Sequence, residues 1–473
     1  MIPLTRTQPD RGGNKRRRAK VDSHDRRRAI GKDAYAISGR ELSDLLSPMT
    51  PATFMAEYWG RKPLFIKGRP DKLPKLFQGG FDRADFYRAI HRAAGNGIKG
   101  LDLQAINTRG IYPDSQGPIK MGAAIQAAQM EEMFAQGANI SAENISDPRL
   151  ASFAAALKAQ LQHTGEIHLF VTLSPGEKGF PLHLDQTDAF FMQCEGTKRY
   201  VISTQPVVSW PRGTIAFAED GSVESCQYDI EPWEELPTVE RESLTEIVME
   251  PGDILYSPAG TLHATEAVGG ATLNLNLLLY HSNFLDLLNR ALAGMLASNP
   301  AWRHLPQVSR TGARPGQLPA EVKQFFAARL DELRETLNGL TPDASELNRE
   351  WHKLIAEPGE VTLANLSLAP AQPRARSVQR RDQLRLSRRA PITCAVGNDS
   401  DGTPEFYLYY GKREVSVAGE WVPFLQTMVA KRRFTAESAT TWAEQGKYPW
   451  KIVREYLETL LDQGILERAV AGG

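Results

Sequence analysis

The sequence predicts an α+β protein in which a strand-rich middle is flanked by helix-rich segments. From Ile167 to Tyr280 the chain consists of short strands separated by Gly, Pro and Asp turns, which is typical of a β-sandwich or barrel. Before and after this stretch, apolar residues recur at helical spacing. Hydrophobic residues make up 41% and charged residues 24% of the 473 residues. This ordinary globular composition excludes collagen, coiled coil and wholesale disorder.

The chain begins with a basic stretch. Residues 1–32 contain eleven Lys or Arg and three Asp, a net charge of +8, with almost no apolar side chains. Such a composition cannot offset its ordering entropy by burial, so residues 1–35 are predicted to be a disordered basic tail. The plainer interpretation is a solvated tail. The alternative is an electrostatic arm that contacts RNA, a ribosome or an acidic partner.

Folded structure is predicted from residue 36 onward. Ser38 and Glu41 have the spacing of a capping box, and Thr50-Pro51 has the pattern of an N-cap followed by proline in the first helical turn. Leu64–Ile66 is short and apolar, as in a buried strand. Ser146-Asp147-Pro148 marks the start of a further helix.

The strand-rich segment is predicted to contain six strands. Glu195-Gly196 separates the second from the third and has the character of a tight hairpin turn. The predicted strands are 167–173, 188–194, 198–203, 245–249, 253–257 and 271–280.

Helices return after the strands, at Asn283–Ser298, Pro319–Leu337 and Ala344–Ile355 within a helical region 282–368. Residues 369–391 are predicted to be a linker, because they contain proline at both ends and seven Arg against one Asp. Residues 392–473 are predicted to form a separate unit with a hairpin, three helices and a closing strand, an order that resembles a winged helix. Its mixed charges are a poor footprint for DNA, which favours a partner or dimer contact.

Charge, cysteine and hydropathy patterns narrow the class of protein further. The three cysteines form no CxxC pair, so neither a zinc knuckle nor a disulfide framework is predicted. No stretch approaches the roughly 20 apolar residues of a membrane helix, and the N-terminus lacks a signal core, so a cytoplasmic protein is expected. The zero net charge conceals a tail of +8 and an Arg-rich linker of +6. A polyanionic partner is therefore not excluded.

One constellation of residues carries the chemistry. His183 and Asp185 are two residues apart, so on a strand both would face the same side. A third ligand is available at His263, which follows a Pro/Gly turn after Pro251-Gly252-Asp253. Two His and one Asp form the facial triad of non-haem Fe(II) oxygenases. An HxD pair alone is weak evidence for a metal site. The Pro/Gly turn, the strand-rich context and the second His together strengthen that interpretation.

Three segments resemble the JmjC-type cupin oxygenases, and most closely the ribosomal oxygenase group. They are HLDQTDAFFMQCEGTKRYVIS from His183, PGDILYSPAGTLHATEA from Pro251 and YWGRKPLFI from Tyr58. The resemblance implies a double-stranded β-helix (a cupin/JmjC jelly roll) over residues 36–281, a helical dimerisation-type region and a homodimer. It implies Fe(II) bound by His183, Asp185 and His263, with 2-oxoglutarate as co-substrate.

In that family a basic residue after the HxD motif pairs with the distal carboxylate of the co-substrate, and Lys198 holds the matching position. Spacing alone does not distinguish Lys198 from its exposed neighbour Arg199. Further candidates for contact with 2-oxoglutarate are Asn274, Asn276 and Thr172. Gln186 and Asp188 are expected to orient the metal ligands or the substrate, and His168 to lie near the site.

Three functions are compatible with these residues. The first is hydroxylation of a protein or peptide side chain, with a ribosomal protein as a candidate. The second keeps the chemistry but acts on a biosynthetic peptide or small metabolite, or removes an N-methyl group by oxidation. The third is a non-catalytic cupin that binds a ligand or nucleic acid. The basic segments favour this function, whereas the intact triad argues against it.

Overall fold

The fold is taken from a computed structural model, which describes residues 35–97, 101–106, 123–218, 221–226, 244–306, 316–357, 359, 377–398 and 401–469. Residues 1–34 of the predicted basic tail therefore lie outside the described residues, and their disorder stays a prediction. Tyr35, the last residue assigned to the tail, instead belongs to the hydrophobic core.

The N-terminal elements are α1 (Glu41–Leu46), α2 (Pro51–Glu57), β1 (Leu64–Ile66), α3 (Lys72–Leu76) and α4 (Arg83–Gly95). Thr50 is the N-cap of α2, since its Oγ1 accepts a hydrogen bond from the Thr53 amide at 3.1 Å. The predicted capping box at Ser38 is half present. The Glu41 carboxylate accepts from the Ser38 amide at 2.6 Å, but the Ser38 hydroxyl accepts from the Arg40 amide rather than from that of Glu41, and helix α1 begins only after Arg40.

The next elements are β2 (Asp102–Ile106), β3 (Ala123–Ala124), α5 (Met130–Ala135), β4 (Asn139–Glu143) and α6 (Pro148–Leu161). Helix α6 begins where its sequence signals predict, because the Asp147 carboxylate accepts hydrogen bonds from the backbone amides of Arg149 and Leu150. Its buried side chains join those of α1, α2 and α4 in one core against the sheet.

The strand-rich segment forms the predicted two-layered jelly roll. Its strands are β5 (Ile167–Ser174), β6 (Gly179–Leu184), β7 (Asp188–Ile202), β8 (Ile215–Phe217), β9 (Val223–Cys226), β10 (Thr245–Met249), β11 (Ile254–Ser257) and β12 (His263–Leu279). One layer has the order β1-β11-β7-β12-β5-β4-β2-β3, and the other contains β10-β7 and β12-β6-β8-β9. The α+β class and the double-stranded β-helix are thus confirmed.

Strands β7 and β12 belong to both layers, and this corrects the predicted hairpin at Glu195-Gly196. Residues 188–202 form one strand, whose pairing with β12 shifts register between Val268 and Leu273. Gly196 lies at this shift with a φ of +70°, and a Cβ there would approach the Ala271 carbonyl oxygen to 2.3 Å. The glycine therefore marks the bulged corner where the strands pass between layers, and not a chain reversal. Strand β12 likewise starts at His263, earlier than the predicted residue 271.

Three helices follow the strands at nearly the predicted positions. They are α7 (Phe284–Leu296), α8 (Ala320–Gly339) and α9 (Ser345–Ala356). Helix α9 is tied to α6, because the buried Lys158 ammonium donates a hydrogen bond to the Leu354 carbonyl at 2.6 Å. Phe284 and Leu285 at the start of α7 are 67% and 63% exposed. None of the described helices is long and apolar enough to cross a membrane.

The C-terminal part contains β13 (Gln383–Leu386), β14 (Ile392–Asn398), β15 (Pro404–Tyr410), β16 (Arg413–Ala418), α10 (Val422–Lys431), β17 (Arg433–Thr435), α11 (Trp450–Asp462) and β18 (Leu466–Arg468). The hairpin of β15 and β16 and the closing strand β18 are present as predicted. The second of the three predicted helices is instead a 3₁₀ segment at Ala436–Thr441. That this part is a winged helix stays a prediction.

The predicted linker 369–391 is not a linker throughout. Its residues 383–386 form β13, the middle strand between β17 and β18. Leu384 and Leu386 are buried while Arg385 between them is paired with Glu467. The strand was hard to predict because its outward positions are the polar Gln383 and Arg385 and further arginines surround it. Residues 369–376 lie outside the described part of the chain.

Candidate metal centre

The structure brings His183, Asp185 and His263 together. The Nε2 atoms of His183 and His263 lie 3.7 Å and 3.6 Å from Asp185 Oδ2, and one potential ligand atom from each residue lies within 4.8 Å of the others. The two histidines are direct cross-strand partners on β6 and β12, with ring centroids 4.2 Å apart. Asp185 follows the last residue of β6. This grouping fits the facial triad that the sequence predicts.

Both imidazoles are fixed by their other ring nitrogen. His183 Nδ1 donates to the Pro181 carbonyl at 2.7 Å, and His263 Nδ1 donates to the Thr261 carbonyl at 3.1 Å. The Nε2 lone pairs are therefore directed at the space beside Asp185. Burial, together with the neighbouring His183, lowers the pKa of His263 to about 4. The ring stays neutral near pH 7, the form that binds a metal ion.

Thr214 orients the third ligand, and sequence reasoning missed it. Its Oγ1 donates to Asp185 Oδ1 at 3.0 Å, which leaves Oδ2 facing the two imidazoles. The contact arises from strand pairing: β6 and β8 align His183 with Ala216 and Leu184 with Ile215, so the next residues along are Asp185 and Thr214. The two residues are 29 apart in the chain, and only the pairing of the folded strands brings them together. The sequence therefore contains no local pattern that indicates the contact.

Asp188 anchors the turn that precedes His263. It is buried and accepts hydrogen bonds from the Tyr256 hydroxyl at 2.9 Å and the Ala259 amide at 2.7 Å. The next amide along that turn, of Gly260, donates to the Asp185 carbonyl at 2.8 Å. Asp188 thus holds the segments that carry two of the three candidate ligands, in keeping with the orienting role expected of it.

The triad opens onto a cavity of about 470 Å³ between the two layers of the jelly roll. Lys198, Thr172 and Asn276 line the same cavity, while Asn274 is not among its lining residues in the described part of the chain. Phe180 and Phe191 are part of the wall, whereas Phe190 and Tyr256 pack in the core against Phe54. Other lining residues are Asp102, Gln104, Ser141, Glu143, Gln186, Tyr200, Thr265 and Tyr280.

Lys198 is a buried cation with an unusual environment. Its side chain is 2% exposed, and Nζ donates to Thr172 Oγ1 at 3.2 Å. Burial lowers the pKa of Lys198 to about 7. Among the described residues no carboxylate forms an ion pair with it, whereas its neighbour Arg199 is paired with Glu266. A buried ammonium of this kind is stabilised by an anionic ligand.

The asparagines and His168 complete the predicted set. The Oδ1 atoms of Asn274 and Asn276 are buried without a hydrogen-bond partner among the described residues. Asn274 Nδ2 is 3.5 Å from the Tyr200 hydroxyl. His168 lies behind the cavity wall, where burial lowers its pKa, but its hydrogen bonds to Glu143 and Glu166 outweigh that effect and raise it. Glu143, not His168, faces the cavity.

This arrangement has a counterpart in a known family. Residues 147–287 match the family model described as the JmjC domain. All three candidate ligands, Lys198 and the asparagines lie within the part of the chain that matches this family model.

The chain is also similar to individual proteins and to a solved structure. The chain is 24% identical to the uncharacterized protein YxbC of Bacillus subtilis over 65% of this chain and 91% of that protein. It is 25% identical to ribosomal oxygenase 2 of Mus musculus over 63% of this chain and 60% of that protein, under two thirds of the relative's length. The X-ray structure of E. coli YcfD aligns over 89% of this chain and 98% of its own, at 15% identity and a TM-score of 0.48. The resemblance to JmjC-type oxygenases of the ribosomal oxygenase group is confirmed.

Proposed function

We propose that this protein is an Fe(II)- and 2-oxoglutarate-dependent oxygenase that hydroxylates a side chain of a protein or peptide. The observation that carries the proposal is one cavity holding both a His183–Asp185–His263 cluster and a buried lysine that has no carboxylate partner among the described residues. The JmjC domain match supports the oxygenase class.

The donor set fits a ferrous ion. Two imidazole nitrogens and one carboxylate oxygen converge, and a six-coordinate metal bound by them would keep three positions open. A structural zinc site would instead use four protein ligands, commonly thiolates. Iron bound here would supply the coupling of 2-oxoglutarate and O₂ to substrate oxidation. In the balanced reaction one oxygen atom enters succinate, CO₂ leaves, and the other oxygen becomes the substrate hydroxyl.

The opposite end of the cavity fits a dicarboxylate. Lys198 would pair with the distal carboxylate of 2-oxoglutarate, with the Thr172 hydroxyl beside it. Asn276 lines the same cavity, and its Nδ2 would donate to a carboxylate oxygen of the co-substrate, because its Oδ1, which is buried without a partner among the described residues, only accepts. The contacts of Thr172, Asn274 and Asn276 with the co-substrate remain part of this proposal, and the geometry favours Asn276 over Asn274.

The substrate class rests on the relatives' names. Ribosomal oxygenase 2 of Mus musculus supports a ribosomal protein as the target. A second candidate reaction, N-demethylation, is favoured by the name of a relative in Aedes aegypti, "Bifunctional lysine-specific demethylase and histidyl-hydroxylase NO66". Both reactions begin with oxidation of a carbon–hydrogen bond, so the same site would serve either.

The proposed partners include a second copy of the chain. The exposed Phe284 and Leu285 on α7 support a homodimer built on the helical region, because exposed apolar side chains in a group mark association surfaces. Sedimentation of the full chain would test this, and a monomer at micromolar concentration would contradict it.

Succinate formation and intact mass test the function together. Purified protein with Fe(II), ascorbate and 2-oxoglutarate is incubated with ribosomal proteins stripped of modification. We expect succinate release coupled to a product heavier by one oxygen. Loss of a methyl mass would select demethylation. If succinate were released only with a small metabolite or a biosynthetic peptide, that compound class and not a ribosomal protein would be the substrate. If the protein neither bound iron nor released succinate, the function would be that of a non-catalytic cupin.

A further inference from the structure

A second concave surface, separate from the metal cavity, has more cations than carboxylates in its lining. It is a groove of about 540 Å³ beside α1 and α3. Five cationic side chains and two carboxylates line it, and none of its lining residues lines the metal cavity. The cations are Arg40, Lys67, Arg69, Lys72 and Lys75, and the carboxylates are Asp44 and Asp71. We refer to this surface as the basic groove.

Ion pairs orient the cations without covering them. Asp71 lies 3.5 Å from Arg69 Nε and 2.6 Å from Lys75 Nζ, and Arg40 is paired with Asp44 at 3.5 Å. Lys67 Nζ is 2.7 Å from Glu250 and 3.0 Å from the buried Asp253. The side chains of these four cations are nevertheless 58–84% exposed. They are therefore held in place and still accessible to a ligand.

Lys72 differs from the other four cations. Its ammonium donates to the Ser47 carbonyl at 2.9 Å rather than to a carboxylate. Burial lowers the pKa of Lys72 to about 8, although the charge of Asp253 opposes this. A bound anion would supply the missing counter-charge, because an opposite charge nearby favours the protonated amine.

The fold brings a second basic segment to the edge of the groove. The Ile37 amide donates to the Arg388 carbonyl at 2.8 Å, and Arg388 Nε donates to the Ile37 carbonyl at 3.0 Å. Ser38, the next residue along the chain, lines the groove. The Arg-rich segment that ends at Arg389 is thus joined to the groove wall, although it is about 350 residues away in sequence. In the sequence, the basic stretch 1–32 also directly precedes this wall.

The character of the lining favours a nucleic acid over an acidic protein. The apolar lining residues, Tyr35 and Leu76, are only 5% and 6% exposed. A protein partner needs an apolar centre to its interface. A phosphate backbone binds mainly through charge and needs none.

We propose that the basic groove, extended by Arg388, binds the phosphate backbone of a nucleic-acid strand. The binding is sequence-independent, because the groove offers cations at fixed positions and its described lining residues include no exposed aromatic side chain for base stacking. It does not depend on the oxygenase chemistry.

The test is a salt titration of nucleic-acid binding by the full chain. Labelled single-stranded RNA, single-stranded DNA and duplex DNA are titrated by fluorescence anisotropy between about 50 and 200 mM NaCl. The groove variant combines Arg69→Gln, Lys72→Gln and Lys75→Gln. We expect its affinity to fall at least about tenfold and the slope of log K against log [salt] to decrease by roughly 2 to 3.

Three controls make the outcome decisive. A variant with Lys323→Gln and Arg334→Gln on α8 removes exposed charge elsewhere, and we expect it to bind as the parent does. Asp185→Ala should also bind as the parent, so failure of the proposed function would not be mistaken for failure of this one. A chain without residues 1–32 should still lose affinity when the groove substitutions are added. Absence of binding at low salt, or equal affinity of groove variant and parent, would overturn the proposal.

Discussion

The two ends of the metal cavity are built on different principles. At the metal end, each candidate ligand is already held by a neighbour: His183 by the Pro181 carbonyl, His263 by the Thr261 carbonyl and Asp185 by the Thr214 hydroxyl. At the other end, Lys198 and Asn276 are buried with part of their bonding capacity unused. The first end is preorganised, while the second holds polar groups at a cost in stability that a ligand offsets.

The comparison predicts that the largest effect comes from the metal end. Asp185→Ala removes the only anionic ligand of the cluster and should reduce succinate formation by about a thousandfold or more, because only the two histidines would then remain to bind the metal. Metal content measured after gel filtration with Fe(II) should fall in parallel. Asp71→Asn, a substitution at an exposed carboxylate, is the control. Full turnover by Asp185→Ala would refute the metal site.

At the co-substrate end the strongest effect is expected at Lys198. Lys198→Met keeps the length and apolar stem of the side chain but removes its charge, so the KM for 2-oxoglutarate should rise by roughly a hundredfold, equivalent to about 3 kcal/mol. Metal binding should be retained. Arg199→Met is the matched control, because Arg199 is the adjacent residue on β7 and pairs with Glu266. An equal effect of both substitutions would mean that Lys198 is not the anion partner.

Substitutions at Thr214 test whether metal binding depends on the hydrogen bond from its hydroxyl to Asp185. Thr214→Val preserves shape but lets both Asp185 oxygens turn, so Fe(II) affinity should weaken by roughly tenfold to a hundredfold. Thr214→Ser retains the donor and should behave as the parent. Competition with a metal-sensitive dye measures the affinity without turnover. A normal affinity in the valine variant would show that strand packing alone orients Asp185.

The pH dependence of co-substrate binding should follow Lys198. Burial lowers its pKa to about 7 from the ordinary 10.5, so above about pH 7 binding of the dianion requires proton uptake, and affinity should fall by about tenfold per pH unit. Stability should move the opposite way. The unfolded chain holds this proton up to about pH 10.5, so the free energy of unfolding gains from this group as pH rises from 7. Lys198→Met should lack both trends, and a flat affinity profile in the parent would contradict them.

The residues that could be predicted from sequence lie within contiguous patterns. His183, Asp185 and Lys198 lie on neighbouring segments with distinctive spacing, and His263 follows a recognisable turn. Thr214 was not predictable, because its role depends on the register between β6 and β8. Glu195-Gly196 was misread because a glycine with positive φ serves bulges as well as turns. In β13 the alternation of buried Leu384 and Leu386 was outweighed by the surrounding arginines.

The smallest expected effect separates two neighbouring asparagines. Asn276 lines the cavity and Asn274 does not, yet both carry a buried Oδ1 that lacks a partner among the described residues. Replacing either with leucine removes that atom, so each substitution should raise the free energy of unfolding by about 1 kcal/mol. Only Asn276→Leu should weaken 2-oxoglutarate binding, by roughly tenfold, the loss of one hydrogen bond from Nδ2 to a carboxylate oxygen. Denaturant melts and co-substrate titrations measure the two quantities separately. If Asn274→Leu weakened binding as much as Asn276→Leu, the polar end of the cavity would extend further along β12 than its lining indicates.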